Sequence, residues 1–339
     1  SVMFSQEWPA VRSIIKTVMK VYPNVFLVCG GEHITACPEF CMKECPEIDV
    51  CVVGEGEETS IALLNAIKEK KSLSNVDGIV FRSEDRLIKN PKRPRINKID
   101  QIVWPAWDLF PLENYLSNSF GYGVSTGRSM PMLISRGCPF QCTFCSSPQM
   151  WTTRYVMRPV DEVCDEIVHY IKVYKANSID FYDLTAIVNK KWILEFTKEL
   201  KQRKINIVWQ LPSGTRSEAL DEEVISNLKE TGISLLVYAP ESASLRVLKD
   251  IKKKIKLERL THSIEMAIKY GITTKSNFII GFPDEKRWDV YLTLLYMWKL
   301  ALMKMNDCLL SIFSPYPGSE IYDSLIEERI IPETNDEYF

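Results

Sequence analysis

The sequence predicts an α/β protein in two parts. Residues 1–75 form a small parallel α/β layer, 76–128 form a linker with a hairpin, 129–325 form a run of βα units, and 326–339 begin a C-terminal segment. Three observations carry this. Short, wholly apolar segments alternate with helical ones, as in parallel sheets covered on both faces. Glycines stand just past the carboxyl ends of two early strands, where open α/β sheets bind ligands. From about residue 129 six strand signals alternate with helical patterns, too few for a closed eight-stranded barrel.

Over 7–22, Trp8, Val11, Ile14, Ile15, Val18 and Met19 recur at helical spacing. A buried strand over 25–29 ends in Gly30-Gly31, a small helix follows over 38–45, and a second buried strand over 49–53 ends in Gly54-Glu55-Gly56-Glu57. Glycine at such turns lets the backbone approach a ligand. Residues 59–69 read as a helix. Cys37, Cys41 and Cys45 lie four residues apart on one helix face; a second metal cluster is one reading, and small core hydrophobes are the favoured one. The segments 78–82 and 87–89 flank Ser83-Glu84-Asp85-Arg86 as a hairpin. Pro91, Pro94, Pro105 and Pro111 punctuate an irregular stretch in which Trp104, Trp107 and Phe110 are expected to pack one domain on the other.

Strands are expected at 131–135, 179–183, 205–210, 234–239, 274–280 and 308–313, with helices near 160–175, 190–203, 219–231, 257–270 and 287–303. Val160, Val163, Cys164, Ile167, Ile171 and Tyr174 give the first of these helices its apolar stripe. Gly232 and Gly271 stand where helix C-caps belong.

Lys plus Arg number 42 and Asp plus Glu 44, a net charge of −2, which argues against a general nucleic-acid footprint. Lys89, Lys92, Arg93 and Arg95 read as solvated surface. No apolar run reaches the roughly 18 residues of a membrane span. Ten cysteines are expected of a reducing, cytoplasmic setting with thiols available for metal.

The chemistry concentrates in Arg136-Gly137-Cys138-Pro139-Phe140-Gln141-Cys142-Thr143-Phe144-Cys145, directly after the apolar Met130-Pro131-Met132-Leu133-Ile134. Cys138, Cys142 and Cys145 present three thiolates from one short loop. That is one fewer than the four that close a structural zinc site or fill every iron of a four-iron cluster. An iron without protein sulfur can bind a substrate. Zinc fingers pair C-x2-C with a second pair, and none follows Cys145.

This spacing resembles the signature of the radical S-adenosylmethionine (radical SAM) enzymes. The resemblance implies an open six-stranded (β/α)6 partial barrel, a [4Fe-4S] cluster held by the three cysteines, and reductive cleavage of S-adenosylmethionine to a 5′-deoxyadenosyl radical. Further segments resemble the family in the expected order. Phe181-Tyr182-Asp183 resembles its F-x-D segment, which implies Asp183 at the zwitterionic methionine end of the cofactor, and Arg216 resembles the Arg facing the methionine carboxylate. Tyr238-Ala239-Pro240-Glu241-Ser242-Ala243-Ser244 resembles E-S-G-S, with Glu241 and Ser242 toward the ribose; alternatively Ser242 or Ser244 is a helix N-cap. Phe278-Ile279-Ile280-Gly281-Phe282-Pro283 resembles the adenine segment, with Ile279 and Gly281 at the base. Ser314-Pro315-Tyr316-Pro317-Gly318-Ser319 resembles a segment of the cobalamin-linked subgroup, and Trp151 and Arg154 are expected on the substrate or cobalamin side.

Gly30, Gly31, Gly54, Glu55 and Gly56 resemble the Rossmann-like cobalamin-binding domain that precedes the barrel in that subgroup, the class B methyltransferase type. The three histidines, His33, His169 and His262, lack the Asp two residues earlier of its cobalt-ligating loop. The expectation is the C-terminal half of such a domain, truncated at its N-terminus, with the cobalt ligand either upstream of Ser1 or lacking.

The resemblance therefore implies a cobalamin-dependent radical SAM methyltransferase acting on an unactivated centre of a small-molecule, natural-product or lipid-type substrate. Its electrons would come from a flavodoxin or ferredoxin, and it would be oxygen-sensitive. Two alternatives stand beside it: a cobalamin-linked oxidoreductase or cyclase resembling the anaerobic porphyrin ring cyclases, and a non-catalytic metal- or cobalamin-binding module. A tRNA methylthiotransferase would need a second cysteine triad and a basic C-terminal module. Cys37, Cys41 and Cys45 are poorly spaced for the first, and the second is absent.

Overall fold

The computed structural model describes residues 1–84, 86–121, 123–216 and 219–332. Asp85, in the expected hairpin turn, and residues 333–339, the end of the expected C-terminal segment, lie outside the described residues. The chain forms two compact units. The first takes 1–97, 141–153 and the segment from 314 on; the second takes 98–140 and 154–313.

The first unit carries a four-stranded sheet in the order β1 (Val28–Cys29), β2 (Val50–Val52), β3 (Ile79–Ser83), β4 (Arg86–Lys89). β1 pairs with β2 in parallel, Cys29 opposite Cys51, and the hairpin continues the same sheet antiparallel to β2. The strand expected over 25–29 shortens to its last two residues; Val25, Phe26 and Val28 are 40–43% exposed at the sheet edge. The helix Trp8–Val21 buries Trp8 and Ile15 with Ile34, Met42, Ile48 and Val53. The helix Gly56–Lys68 buries Leu63 and Ala66 with Val50, Val52, Ile79 and Phe81. It starts before the expected 59, at Gly56, with Glu57 and Glu58 set against the positive end of its dipole. A helix not read from the sequence, Glu32–Ala36, precedes Pro38–Glu44.

The second unit is built on six strands: β5 (Ser129–Met132), β8 (Ser178–Phe181), β9 (Val208–Thr215), β10 (Ile233–Glu241), β11 (Thr273–Ile280) and β12 (Asp307–Ile312). Between the first two of these, β6 (Ser135–Arg136) and β7 (Val156–Met157) form a separate antiparallel pair. The six lie in sequence order in one sheet, and every neighbouring pair is parallel. Helices Val160–Tyr174, Lys190–Gln202, Glu222–Glu230, Leu257–Lys269 and Arg287–Leu302 fill the crossovers, close to the five expected spans. The core joins Met130, Ile179, Phe181, Trp209, Leu236 and Phe278 to the inner faces of these helices.

Two boundaries move for a stated reason. β5 ends at Met132, not 135, because the amides of Ile134 and Ser135 turn from the sheet to the Asp183 carboxylate. The strand expected over 205–210 is displaced to Val208–Thr215 and runs on through Pro212 and Gly214. Trp104 and Trp107 donate to Glu162 and the Tyr170 hydroxyl, both on the helix Val160–Tyr174, so these rings pack inside the second unit. Among the described residues no helix is long and apolar enough to cross a membrane.

Candidate active site

The cysteine loop leaves the carboxyl end of β5. Its entry is fixed from behind by two residues. Asp183, 1% exposed, accepts from the Ile134 amide at 3.1 Å and from the Ser135 amide and hydroxyl at 2.5 Å. Burial pushes its carboxyl up to about 6, against the pull of the Ser135 and Ile134 hydrogen bonds. Arg158 donates to the Leu133 carbonyl at 2.7 Å and is itself held by Glu162 and Glu166 at 2.5 Å. The chain then turns through Gly137 at φ +91°, a conformation suited to glycine.

Along the loop, the Cys145 amide closes a turn on the Cys142 carbonyl at 3.1 Å. In the first unit the Thr143 carbonyl accepts from the Ile321 amide at 3.0 Å, and the Ser146 hydroxyl donates to Glu32 at 2.7 Å. None of the ten cysteines is in a disulfide. Cys138, Cys142 and Cys145 are all half-buried, whereas Cys29, Cys41, Cys45, Cys51 and Cys164 are buried. Three accessible thiols on an anchored turn are the donor set a cluster needs, and the fit holds on that chemistry.

The other residues singled out in the sequence fall into three groups. Arg216 reaches the loop: its guanidinium lies 3.7 Å from the centre of the Phe140 ring and also donates to the Lys254 carbonyl. Glu241, 7% exposed, ends β10 at φ +66° and pairs with Lys253 at 2.8 Å. A non-glycine residue in that region is the kind of strain that collects at functional sites. Ser242 is turned inward. It is fully buried, 3.1 Å from the Thr293 hydroxyl, and accepts from the Ser244 amide. Ser244 caps the helix Leu245–Asp250 and donates to Asp289 at 2.5 Å, so the N-cap role falls to it. Ile279 is half-buried on β11, and Gly281 just beyond takes φ +88° with its amide bonded to Glu285 at 2.5 Å.

In the first unit the glycines differ. A Cβ on Gly31, at φ +110°, would stand 2.4 Å from the Val2 carbonyl oxygen, so its side chain is excluded by the chain's own backbone. Gly30 is in ordinary contact with Val52. Gly54, at φ +84°, has nothing within 4 Å of such a Cβ, and its amide donates to Thr35. Gly56 is the first residue of its helix, after Glu55, whose carboxylate accepts from the Ile96 amide at 2.8 Å and lies 3.5 Å from Arg95. Thr35, Gly54, Glu55, Arg93, Arg95 and Gln149 line a cleft of about 320 Å³. The open face over Gly54 is a cradle of the kind a flat cofactor fills. Trp151 lies beside Arg95, 5.4 Å from its guanidinium. His33, 2% exposed and 2.9 Å from Ser5, is buried away from this cleft's lining.

Sequence reasoning missed Arg158 and Phe140, and it read Arg95 as solvated surface, whereas that side chain is 10% exposed and lies 3.5 Å from Glu55. Phe140 sits inside the cysteine motif and was legible; the others act through partners 25 or more positions away, as with Arg158 and Leu133.

Comparison with known proteins gives the family. The Radical SAM superfamily model matches residues 132–297, and the B12 binding domain model matches residues 1–64. An uncharacterized methyltransferase of Pyrococcus horikoshii is 34% identical over 94% of this chain and 67% of its own length. The anaerobic magnesium-protoporphyrin IX monomethyl ester cyclase of Rubrivivax gelatinosus is 26% identical over 94% of the chain and 57% of its own. The chain thus spans between 57% and 67% of the length of these curated relatives. The solved radical S-adenosylmethionine methyltransferase TsrM of Kitasatospora setae, with cobalamin and a [4Fe-4S] cluster bound, superposes with a TM-score of 0.75 at 18% identity. That match covers 97% of this chain and 64% of that one, a likeness of fold.

Proposed function

Because this chain belongs to the radical SAM family whose members carry a B12-binding domain, we propose that it is a cobalamin-dependent radical SAM methyltransferase acting on a small molecule. The observation that carries the proposal is the set of three accessible thiols on a loop pinned by Asp183. When bound, a four-iron cluster with one open iron and a cobalamin would supply reductive cleavage of S-adenosylmethionine and methyl transfer through cobalt.

The chain's own residues bind and orient. Cys138, Cys142 and Cys145 hold the cluster. Asp183 and Arg158 fix where the loop starts. Arg216 provides a fixed positive charge for the methionine carboxylate. Glu241, backed by Ser242, serves the ribose hydroxyls, and Ile279 with Gly281 forms the apolar wall for adenine. Gly54 and Glu55 form the open cobalamin face, with Gly30, Gly31 and Gly56 shaping the turns beneath. A flavodoxin or ferredoxin supplies the electron, the protein works in the cytoplasm, and oxygen inactivates it.

Methyl transfer is favoured over cyclisation because the relative at 34% identity is named a methyltransferase. The cyclase relative at 26% identity favours a second reading, a radical oxidoreductase or cyclase. The test is anaerobic turnover of the reconstituted protein with a small-molecule substrate panel. A methyltransferase forms S-adenosylhomocysteine together with 5′-deoxyadenosine. Formation of 5′-deoxyadenosine alone, with an accepted substrate consumed, rejects the methyl-transfer reading in favour of the second.

A further inference from the structure

We propose that His33, Cys37 and Cys41 form a second metal site, for a single thiophilic divalent cation of the Zn²⁺ class, inside the first unit. The three residues follow one another at four-residue intervals. The helix Glu32–Ala36 ends at Cys37 and Pro38–Glu44 begins there, yet the amides of Cys37 and Cys41 still bond to the carbonyls four residues back, both at 3.1 Å. The three side chains therefore stay on one face, and one ligand atom from each lies within 4.8 Å of the others.

The spacing approaches that of a tetrahedral ion, and a turn of the imidazole would aim a ring nitrogen at an ion shared with the sulfurs. Zinc–sulfur and zinc–nitrogen bonds of about 2.3 and 2.1 Å place neighbouring ligand atoms about 3.6 Å apart. The Cys37 Sγ lies 3.7 Å from His33 Nδ1 and 3.8 Å from Nε2. The imidazole also has an orienting partner of the usual kind for a metal ligand. Ser5 Oγ stands 2.9 Å from Nδ1, so a proton held there leaves the Nε2 lone pair for the ion. The Trp8 ring, 5.4 Å away, packs against the imidazole. His33 is 2% exposed and Cys41 fully buried, while Cys37 is half-buried and gives an ion a way in. Two sulfurs and one nitrogen select a borderline-soft ion over Mg²⁺ or Ca²⁺, which prefer oxygen, and leave one coordination position for water.

The site shares no ligand with the cysteine loop. Its structural consequence lies nearby: Thr35, between His33 and Cys37, bonds to the Gly31 carbonyl and accepts from the Gly54 amide at 3.0 Å. A bound ion would steady both glycine turns of this unit.

The test uses the full chain with Cys138, Cys142 and Cys145 all changed to Ser, so that the loop cannot take metal. After chelation, the protein is dialysed against Zn²⁺, and separately loaded with Co²⁺ as a spectroscopic probe. The expected result is one Zn²⁺ per chain and thiolate-to-cobalt charge-transfer absorption. Adding Cys37→Ser should weaken Zn²⁺ binding at least about 100-fold, whereas adding Cys45→Ser should leave it unchanged. No stoichiometric Zn²⁺, or binding indifferent to Cys37→Ser, overturns the proposal. If Cys37→Ser does not fold, the Co²⁺ spectrum of the parent decides: absence of thiolate charge transfer overturns it.

Discussion

The same residue type plays opposite parts in two regions of this chain. Cys138, Cys142 and Cys145 sit half-buried on a loop outside the sheet, while Cys29, Cys41, Cys45 and Cys51 are at most 7% exposed within a hydrophobic core. Burial pushes the Cys51 thiol up, and pushes Cys45 up to about 12. What separates the groups is the support beneath them. The loop's entry in the second unit is fixed by hydrogen bonds to backbone at 133–135, and the core thiols are held in by packing. His33 marks the exception, a polar ligand set into the apolar region beside Cys37 and Cys41.

The sharpest break of this contrast is on activity. Cys142→Ala should abolish reductive cleavage of S-adenosylmethionine, by more than about 1000-fold, whereas Cys51→Ala should cost stability and leave cleavage intact. High-performance chromatography of 5′-deoxyadenosine measures both. The next effect is on folding. Gly31→Ala meets the Val2 carbonyl at 2.4 Å and should destabilise by about 3 kcal/mol or more, while Gly54→Ala, with open space, should cost only about 1 kcal/mol for its positive φ. Gly54→Ala should instead weaken cobalamin retention; urea unfolding and cobalamin absorbance separate the two.

Asp183→Ala leaves the Ile134 and Ser135 amides without their buried acceptor and should cost about 3 kcal/mol in urea unfolding, with iron content falling alongside. Asp183→Asn keeps an acceptor and should cost less. The smallest effect is a pH dependence. The folded Asp183 carboxyl is raised from 3.8 to about 6, so the folded state holds more protons between those values. The contribution of this group is therefore greatest below pH 4 and is lost as pH rises through 6. Relative to Asp183→Asn, the unsubstituted chain should gain about 1 kcal/mol between pH 7 and pH 5. A difference that shrinks on acidification contradicts the burial argument.

Much of the architecture was legible in the sequence because it rests on period. Continuous apolar runs and helical stripes gave the six parallel strands and five crossover helices of the second unit. The cysteine triad was legible because its ligands are close in sequence. What escaped depends on distant partners. Asp183 reads from its F-x-D segment as a partner for the methionine end of S-adenosylmethionine, yet its buried carboxylate closes on the amide of Ser135. Ser242 reads as a site residue, yet its hydroxyl meets Thr293, 51 positions away. The strand over 25–29 looked buried by composition, but pairing confined it to Val28–Cys29. The His33–Cys37 contact carried a usable signal, a four-residue spacing extending that of Cys37 and Cys41, hidden because 32–36 was not read as a helix.

The central claim is that three loop sulfurs hold a four-iron cluster with one iron left open. The most direct measurement is iron and acid-labile sulfide per chain after anaerobic reconstitution, beside Cys142→Ala. The account predicts about four of each in the parent and a large loss of both in the variant. Zinc in place of iron at the loop, or an iron content that Cys142→Ala leaves unchanged, would contradict it.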